Sequence, residues 1–195
     1  MEQKAKKEWD INDYGDYNPY SSLPELQIFT YDLNKLIEGY LDVEDNAFNF
    51  REFFRTWTGI LEKDHKPIPK DCKIGDFVHE KDIVSFLNLL SNKSKESNYP
   101  YSTDEYRNFF RHTLWMVPGV NAAKALSKLL KKHPVFSHFN IANVAGPGDE
   151  EVETRDALQL VNTAISDKPD KSYSITLSCG RLTTGVTVPE WTAVF

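Results

Sequence analysis

The sequence is poor in cysteine, and neither of its two cysteines belongs to a pattern that builds a site. Cys72 and Cys179 are far apart, and no Cys-x-x-Cys pair occurs. This spacing argues against a disulfide framework and against a zinc site. A reducing compartment is the simplest setting for such a chain, so we expect a cytoplasmic protein.

Long apolar runs are also missing. No stretch approaches the roughly 18 apolar residues that a membrane-spanning helix needs. The polar start of the chain, Met1 to Lys7, is not followed by the apolar core of a signal peptide. We therefore expect neither a membrane span nor a cleaved leader.

A surplus of basic residues is absent as well. The chain has 23 Lys and Arg against 29 Asp and Glu, which gives a formal net charge of -6 at pH 7. A free-standing, non-specific nucleic-acid binder is usually basic, so the charge argues against that class of protein. A local basic face remains compatible with this balance. Lys124, Lys128, Lys131 and Lys132 could form one, although a solvated helix surface is the simpler interpretation.

The sequence has no Gly-x4-Gly-Lys-Ser/Thr phosphate loop and no Asp-Glu-x-x box after an apolar strand. Hydrolysis of ATP by such enzymes requires a phosphate-binding loop and Mg²⁺. We therefore expect these 195 residues alone to be inactive in ATP hydrolysis, and we assign no catalytic residue.

No metal site is expected either. The five histidines are scattered, without a pair at zinc-ligand spacing on a helix. The four acidic side chains that could be taken for a nuclease metal cluster are Glu150, Glu151, Glu153 and Asp156. A solvated acidic loop at a helix N-terminus, where negative charge is favourable, explains them better.

The residues that are present divide the chain into three segments. Residues 1–25 are polar and show little periodicity, which is typical of a linker or an arm. Residues 26–110 form a mainly helical segment that begins with a short strand candidate, Leu26–Tyr31. Apolar spacing predicts helices over Asn49–Leu61 and Glu80–Leu90. The capping-box spacing of Ser102 and Glu105 predicts a third helix from near Thr103.

Residues 111–195 alternate between strand and helix patterns, which is typical of an α/β domain with a mainly parallel sheet. The predicted elements are, in order, strand Thr113–Val117, a helix capped by Asn121, strand Phe139–Ala145, helix Thr154–Ser166, strand Tyr173–Cys179 and strand Trp191–Phe195. The apolar run at the end of the chain suggests a fragment of a longer polypeptide.

The loop between the last two predicted strands is rich in glycine and threonine. Gly180 and Gly185 enclose a polar stretch that Pro189 ends. Glycine lets the backbone approach a ligand closely, and open α/β sheets bind ligands at the carboxyl ends of their strands. The loop is therefore the main candidate site, with a simple strand-to-turn role for its Gly and Thr residues as the alternative.

Gly185-Val186-Thr187-Val188-Pro189 resembles motif V of the superfamily 2 (DEAD/DEAH-like) helicases, with Thr187 at the usual Asp position. The longer run Leu182–Val194 is similar to the form found in helicase subunits of restriction-modification systems. The strand and turn around Pro118 and Gly119 resemble motif IV, which opens the second RecA-like domain of these enzymes.

The resemblance implies an incomplete RecA-like domain preceded by a helical insert, from an ATP-dependent DNA helicase or translocase. It implies ATP and Mg²⁺ as cofactors of the parent protein, with DNA and a first RecA-like domain as partners. The residues that it implies for coupling nucleotide to DNA are Gly180, Arg181, Thr183, Thr184, Gly185 and Thr187. A weaker DNA-side set is Pro118, Gly119 and Asn121. The alternative is a non-catalytic α/β interaction domain that binds a protein partner or an anion.

Overall fold

A computed structural model of the chain describes residues 27–31, 38–40, 48–61, 68–92, 99–146, 154–183 and 185–195. The chain divides into two compact units, Met1–Asp32 and Leu33–Phe195. In the first unit, residues 27–31 lie outside any strand, and Ile28 is 82% exposed. The strand predicted over Leu26–Tyr31 is therefore wrong for these residues. The segment boundaries after residues 25 and 110 stay predictions.

The described part of the second unit contains a sheet of four parallel strands. They are β1 (His112–Met116), β2 (Asn140–Asn143), β3 (Ser174–Ser178) and β4 (Ala193–Val194), in the spatial order β2-β3-β1-β4. This confirms the predicted fold class, an α/β domain with a parallel sheet. Strands β2, β3 and β4 lie inside predicted strands, and β1 begins one residue before its predicted start at Thr113.

Two longer helices connect the first three strands. Helix α4 (Val120–Leu130) carries the chain from β1 past β3 to β2, and α5 (Thr154–Ile165) carries it back to β3. Crossovers between parallel strands are right-handed in nearly all proteins, so two crossovers in opposite directions place their helices on opposite faces of the sheet. This arrangement explains why all five residues of β3 are buried, although its serines and threonine alternate with apolar residues.

Helix α4 begins two residues earlier than the predicted N-cap Asn121 allows. Gly119 is its N-cap, whereas Asn121 lies in the first turn with an exposed side chain. Helical spacing predicts that Leu126 and Leu130 face inward, and both are buried. In α5 the spacing predicts that Leu158, Val161 and Ile165 face inward. Val161 and Ile165 are buried, but Leu158 is 37% exposed.

The helical segment contains three described α-helices, and the first is much shorter than predicted. Helix α1 (Phe50–Phe53) is capped by Asn49 as expected, since its Oδ1 accepts a hydrogen bond from the Glu52 N–H at 2.9 Å. The helix does not continue to Leu61. Residues 55–57 instead pair with residues 75–78, and the Trp57 N–H donates to the Asp76 carbonyl at 2.9 Å. A long-range backbone pairing thus overrides the local helical pattern.

The other two helices lie where the sequence predicts them. Helix α2 (Glu80–Ser91) buries Ile83, Leu87 and Leu90. Helix α3 (Asp104–Phe109) is capped by Thr103 rather than by Ser102, because the Thr103 Oγ1 accepts from the Tyr106 N–H at 3.2 Å. Helical spacing predicts that Phe109 and Phe110 face inward, but only Phe110 is buried and Phe109 is 57% exposed.

An aromatic cluster joins the helical segment to the sheet. The buried ring of Tyr101 packs within 5.0 to 6.3 Å, between ring centroids, of five other aromatic rings, those of Phe110, Trp115, Phe136, Phe139 and Phe195. Rings in such contacts contribute to the core beyond their buried area. Among the described helices, none is long and apolar enough to span a membrane.

Candidate functional site at the carboxyl edge of the sheet

The ends of three strands meet at one edge of the sheet. The N–H of Val117, just after β1, donates to the carbonyl of Ser178 at 2.8 Å. The N–H of Val144, just after β2, donates to the carbonyl of Leu177 at 2.9 Å. The segments that follow β1, β2 and β3 therefore leave the sheet side by side.

The connections diverge between β1 and β3, which are neighbours in the sheet. After β1 the chain crosses β3 to reach β2, and after β3 it crosses β1 to reach β4. Such a switch point opens a crevice at the carboxyl ends of the strands, where open α/β sheets bind ligands. Both predicted residue sets lie in segments that border this point, around Pro118 on one side and from Gly180 onward on the other.

The start of the candidate loop is shaped by the hydroxyl of Ser178. Its Oγ donates to the carbonyl of Arg181 at 2.6 Å and accepts from the Gly180 N–H at 3.2 Å. The Thr183 Oγ1 donates back to the Gly180 carbonyl at 2.8 Å. Gly180 and Gly185 have φ angles of 130° and 73°, which favour glycine. The loop therefore has a defined turn geometry of its own.

Apolar residues within the loop fix it to the core beneath α5. Leu182, Val186 and Trp191 pack against a buried cluster that includes Val161 and Val188. Leu182 adopts a φ of 60°, which is unusual for a residue other than glycine. With the apolar side chains directed to the core, the side chains of Thr183 and Thr187 are exposed.

The guanidinium of Arg181 is the cationic group of this loop. Its side chain is half-buried, and no hydrogen bond or ion pair joins it to any other residue that the structure describes. A guanidinium without a partner among the described residues suits an anion, since charge-assisted hydrogen bonds are the strong ones. Thr184, the remaining predicted loop residue, lies outside the described residues.

On the β1 side, the turn is tightly packed against the segment that follows β2. Pro118 and Gly119 are half-buried. Gly146 has a φ of 57°, and a Cβ built on it would lie 2.7 Å from a methyl carbon of Val120. This position therefore requires glycine, and the close approach holds the start of α4 against the β2 loop.

Sequence reasoning missed Ser178, Leu182 and Gly146 as residues that shape the site. The first was interpreted as an ordinary polar strand position. Leu182 carried a usable signal, because an apolar residue in a polar loop often anchors it. For Gly146, the glycine-proline-glycine run that it opens marked a turn, but its contact with Val120 depends on the fold.

The acidic and histidine side chains considered from the sequence add no described group to this edge. Glu150, Glu151 and Glu153, as well as the side chain of Asp156, fall outside the described part of the chain. Within the part that is described, no group of His, Cys, Asp and Glu could hold a metal ion. His112 lies at the start of β1, away from this edge, where its Nε2–H donates to the Pro169 carbonyl at 2.8 Å.

One comparison with known proteins gives a relative. The chain is 26% identical over 192 residues to a Mycoplasma pneumoniae protein described as "Putative type II restriction enzyme and methyltransferase" (C-terminus). The alignment covers 90% of this chain and 25% of that protein, so the chain spans about a quarter of the relative's length. No protein-family model and no solved structure matches the chain significantly. The similarity relates the chain to a restriction-modification protein.

Proposed function

We propose that this chain forms part of the second RecA-like domain of an ATP-dependent DNA helicase or translocase of a restriction-modification system. One observation carries the proposal. The loop that resembles motif V follows β3 at the switch point of a parallel sheet, and the turn that resembles motif IV follows the neighbouring strand β1. The similarity to a restriction-modification protein supports the biological setting.

In this proposal the carboxyl edge of the sheet contacts the DNA backbone. Arg181 supplies a cation, Thr183 and Thr187 present exposed hydroxyl groups, and Gly180 and Gly185 leave the loop backbone accessible. Contacts of this kind with phosphates position a protein on DNA without reading its sequence. Because Leu182 and Val186 anchor the loop to the core beneath α5, a movement of the loop would be transmitted to the domain.

The residues described here do not fit ATP or Mg²⁺ as a complete site. They contain no cluster of His, Cys, Asp and Glu side chains that could hold a metal ion, and the sequence lacks a phosphate loop. The proposal therefore places nucleotide binding mainly on a first RecA-like domain. This chain would contribute one wall of the shared cleft, and no step of hydrolysis is assigned to its side chains.

The proposal is tested on the longer polypeptide that the source gene encodes around this segment. We expect that polypeptide to contain a phosphate loop and to hydrolyse ATP faster when duplex DNA is added. The Thr183→Ala variant, which removes an exposed hydroxyl and its bond to the Gly180 carbonyl, should respond less to DNA. A matched control is Thr163→Ala, on the exposed side of α5, where the hydroxyl only bonds the Gln159 carbonyl.

Two results would contradict the proposal. One is a source gene without a phosphate loop near this segment. The other is ATP hydrolysis that does not respond to DNA in the unaltered polypeptide. Either result would favour the interaction-domain alternative.

A further inference from the structure

Helix α4 carries a basic surface that the candidate site does not include. No aspartate or glutamate occurs between Glu105 and Asp149, whereas that stretch contains two arginines and four lysines. Its formal charge is therefore +6, in a chain whose net charge is -6. Each of the other described α-helices includes at least one acidic residue, and α4 includes none.

Three lysines of this stretch follow one another at intervals of four residues. Lys124 and Lys128 lie in α4, and Lys132 lies just after its end. Residues four apart on a helix share a face and are separated by about 6 Å along its axis. Lys128 and Lys132 are exposed and Lys124 is half-buried. No salt bridge joins these three ammonium groups to the residues that the structure describes.

The position of this lysine row is set by the burial of the opposite side of α4. The residues that pack into the core include Ala122, Leu126 and Leu130. On a helical wheel the lysines lie opposite to these, and exposed Asn121 begins the same outward face. Since α4 starts at the turn after β1, the lysine row begins beside the candidate site and leads away from it.

We propose that the lysine row Lys124, Lys128 and Lys132 binds the phosphate backbone of duplex DNA and extends the DNA contact beyond the strand-end loops. The inference rests on the proposed function, since it takes DNA as the ligand. A membrane surface fits less well, because a helix that binds lipid exposes large apolar side chains, and Asn121 and Lys128 on the outward face are polar. Regularly spaced cations in a stretch of sequence without acidic residues match a regularly spaced polyanion.

The experiment measures the affinity of the 195-residue chain for labelled duplex DNA over a range of salt concentrations. Each phosphate contact contributes about 0.9 to the slope of log K against log salt. In the variant K124Q/K128Q/K132Q the magnitude of that slope should be smaller by about 2 to 3. The variant K124R/K128R/K132R keeps the charges and should keep the slope.

A matched control is K70Q/K73Q/K81Q, which removes three exposed lysines from the helical segment. This control changes the net charge by the same amount as K124Q/K128Q/K132Q, and its slope should stay close to that of the unaltered chain. The inference is overturned if the two triple glutamine variants have the same slope. If Arg181→Gln still lowers the slope in that case, the proposed function stands and only the role of α4 falls. Absence of DNA binding, or binding to anionic vesicles instead, would contradict both.

Discussion

The side-chain hydroxyls of Tyr101 and Thr113 lie 3.0 Å apart, and both residues are fully buried. The pair links the helical segment to the first strand of the sheet. The indole N–H of Trp115 lies 3.1 Å from each of the two oxygens and can donate to either. The three polar groups are therefore hydrogen-bonded to one another inside an aromatic core.

This sharing predicts a non-additive loss of stability. Tyr101→Phe or Thr113→Val alone leaves the Trp115 N–H with one acceptor, so each should reduce the free energy of unfolding by about 1 kcal/mol. The double variant leaves that N–H buried without an acceptor and should cost an additional 1 to 3 kcal/mol, roughly, beyond the sum. Urea denaturation of the four proteins measures this coupling. Strict additivity would show that the indole N–H does not depend on these two hydroxyls.

A second prediction concerns the close approach of Gly146 to Val120. Gly146→Ala should destabilise the chain by roughly 1 to 3 kcal/mol, because the new methyl group meets the Val120 side chain and the φ of 57° disfavours alanine. Adding Val120→Ala should recover part of this loss. The matched control is Gly185→Ala, where φ is 73° but no atom lies within 4 Å of the new Cβ. Thermal unfolding should show the larger loss for Gly146→Ala, and equal losses would contradict the packing argument.

The third prediction follows from two buried histidines. Burial lowers the pKa of His112 and also that of His133 below the ordinary value of 6.5. At His133, the Nδ1 accepts from the Val135 N–H at 3.2 Å, and the Nε2–H donates to the Asn88 Oδ1 at 3.1 Å. The Val135 contact requires the neutral ring, because a protonated Nδ1 cannot accept a hydrogen bond, whereas the contact with Asn88 persists in both forms.

Protonation of these rings therefore favours the unfolded chain. Above pH 6.5 the neutral form dominates in both states, and the stability that depends on it is fully present. As the pH falls below that value, the unfolded chain takes up protons first, so the urea midpoint should decrease between about pH 6.5 and 5.5. His133→Gln should weaken this dependence, whereas the exposed His138→Gln should not. A midpoint that stays constant over this range would contradict the assignment.

Local patterns were sufficient to predict most of the fold. The continuous apolar run at Leu114–Met116 predicts a buried strand, and the helical spacing of Val161 and Ile165 predicts a helix with one buried face. Both predictions are independent of the position of the element in the fold. Backbone pairing between distant segments could not be predicted from the sequence. Arg55 to Trp57 continue a good helical pattern, but they form backbone hydrogen bonds with residues about 20 positions further along the chain. The strand order also depends on contacts between distant segments.

The candidate site was only partly predictable for a similar reason. Glycine and threonine in the loop after β3 can be recognised from composition, and strand ends are natural binding positions. The anchoring role of Leu182 depends on α5, which lies earlier in the chain and packs beneath the loop. That Pro118 and Gly180 border the same switch point follows from the strand order rather than from either motif.

The most direct test of the central claim is the salt dependence of DNA binding by the chain and by two single variants. Arg181→Gln removes the cation of the candidate loop, and Lys171→Gln removes an exposed cation just before β3, at the opposite edge of the sheet. We expect Arg181→Gln to reduce the magnitude of the slope of log K against log salt by about 1 and to weaken DNA binding. Lys171→Gln should leave the slope and the affinity unchanged. Equal behaviour of the two variants, or no affinity for DNA in the unaltered chain, would contradict a DNA-binding role for the carboxyl edge of this sheet.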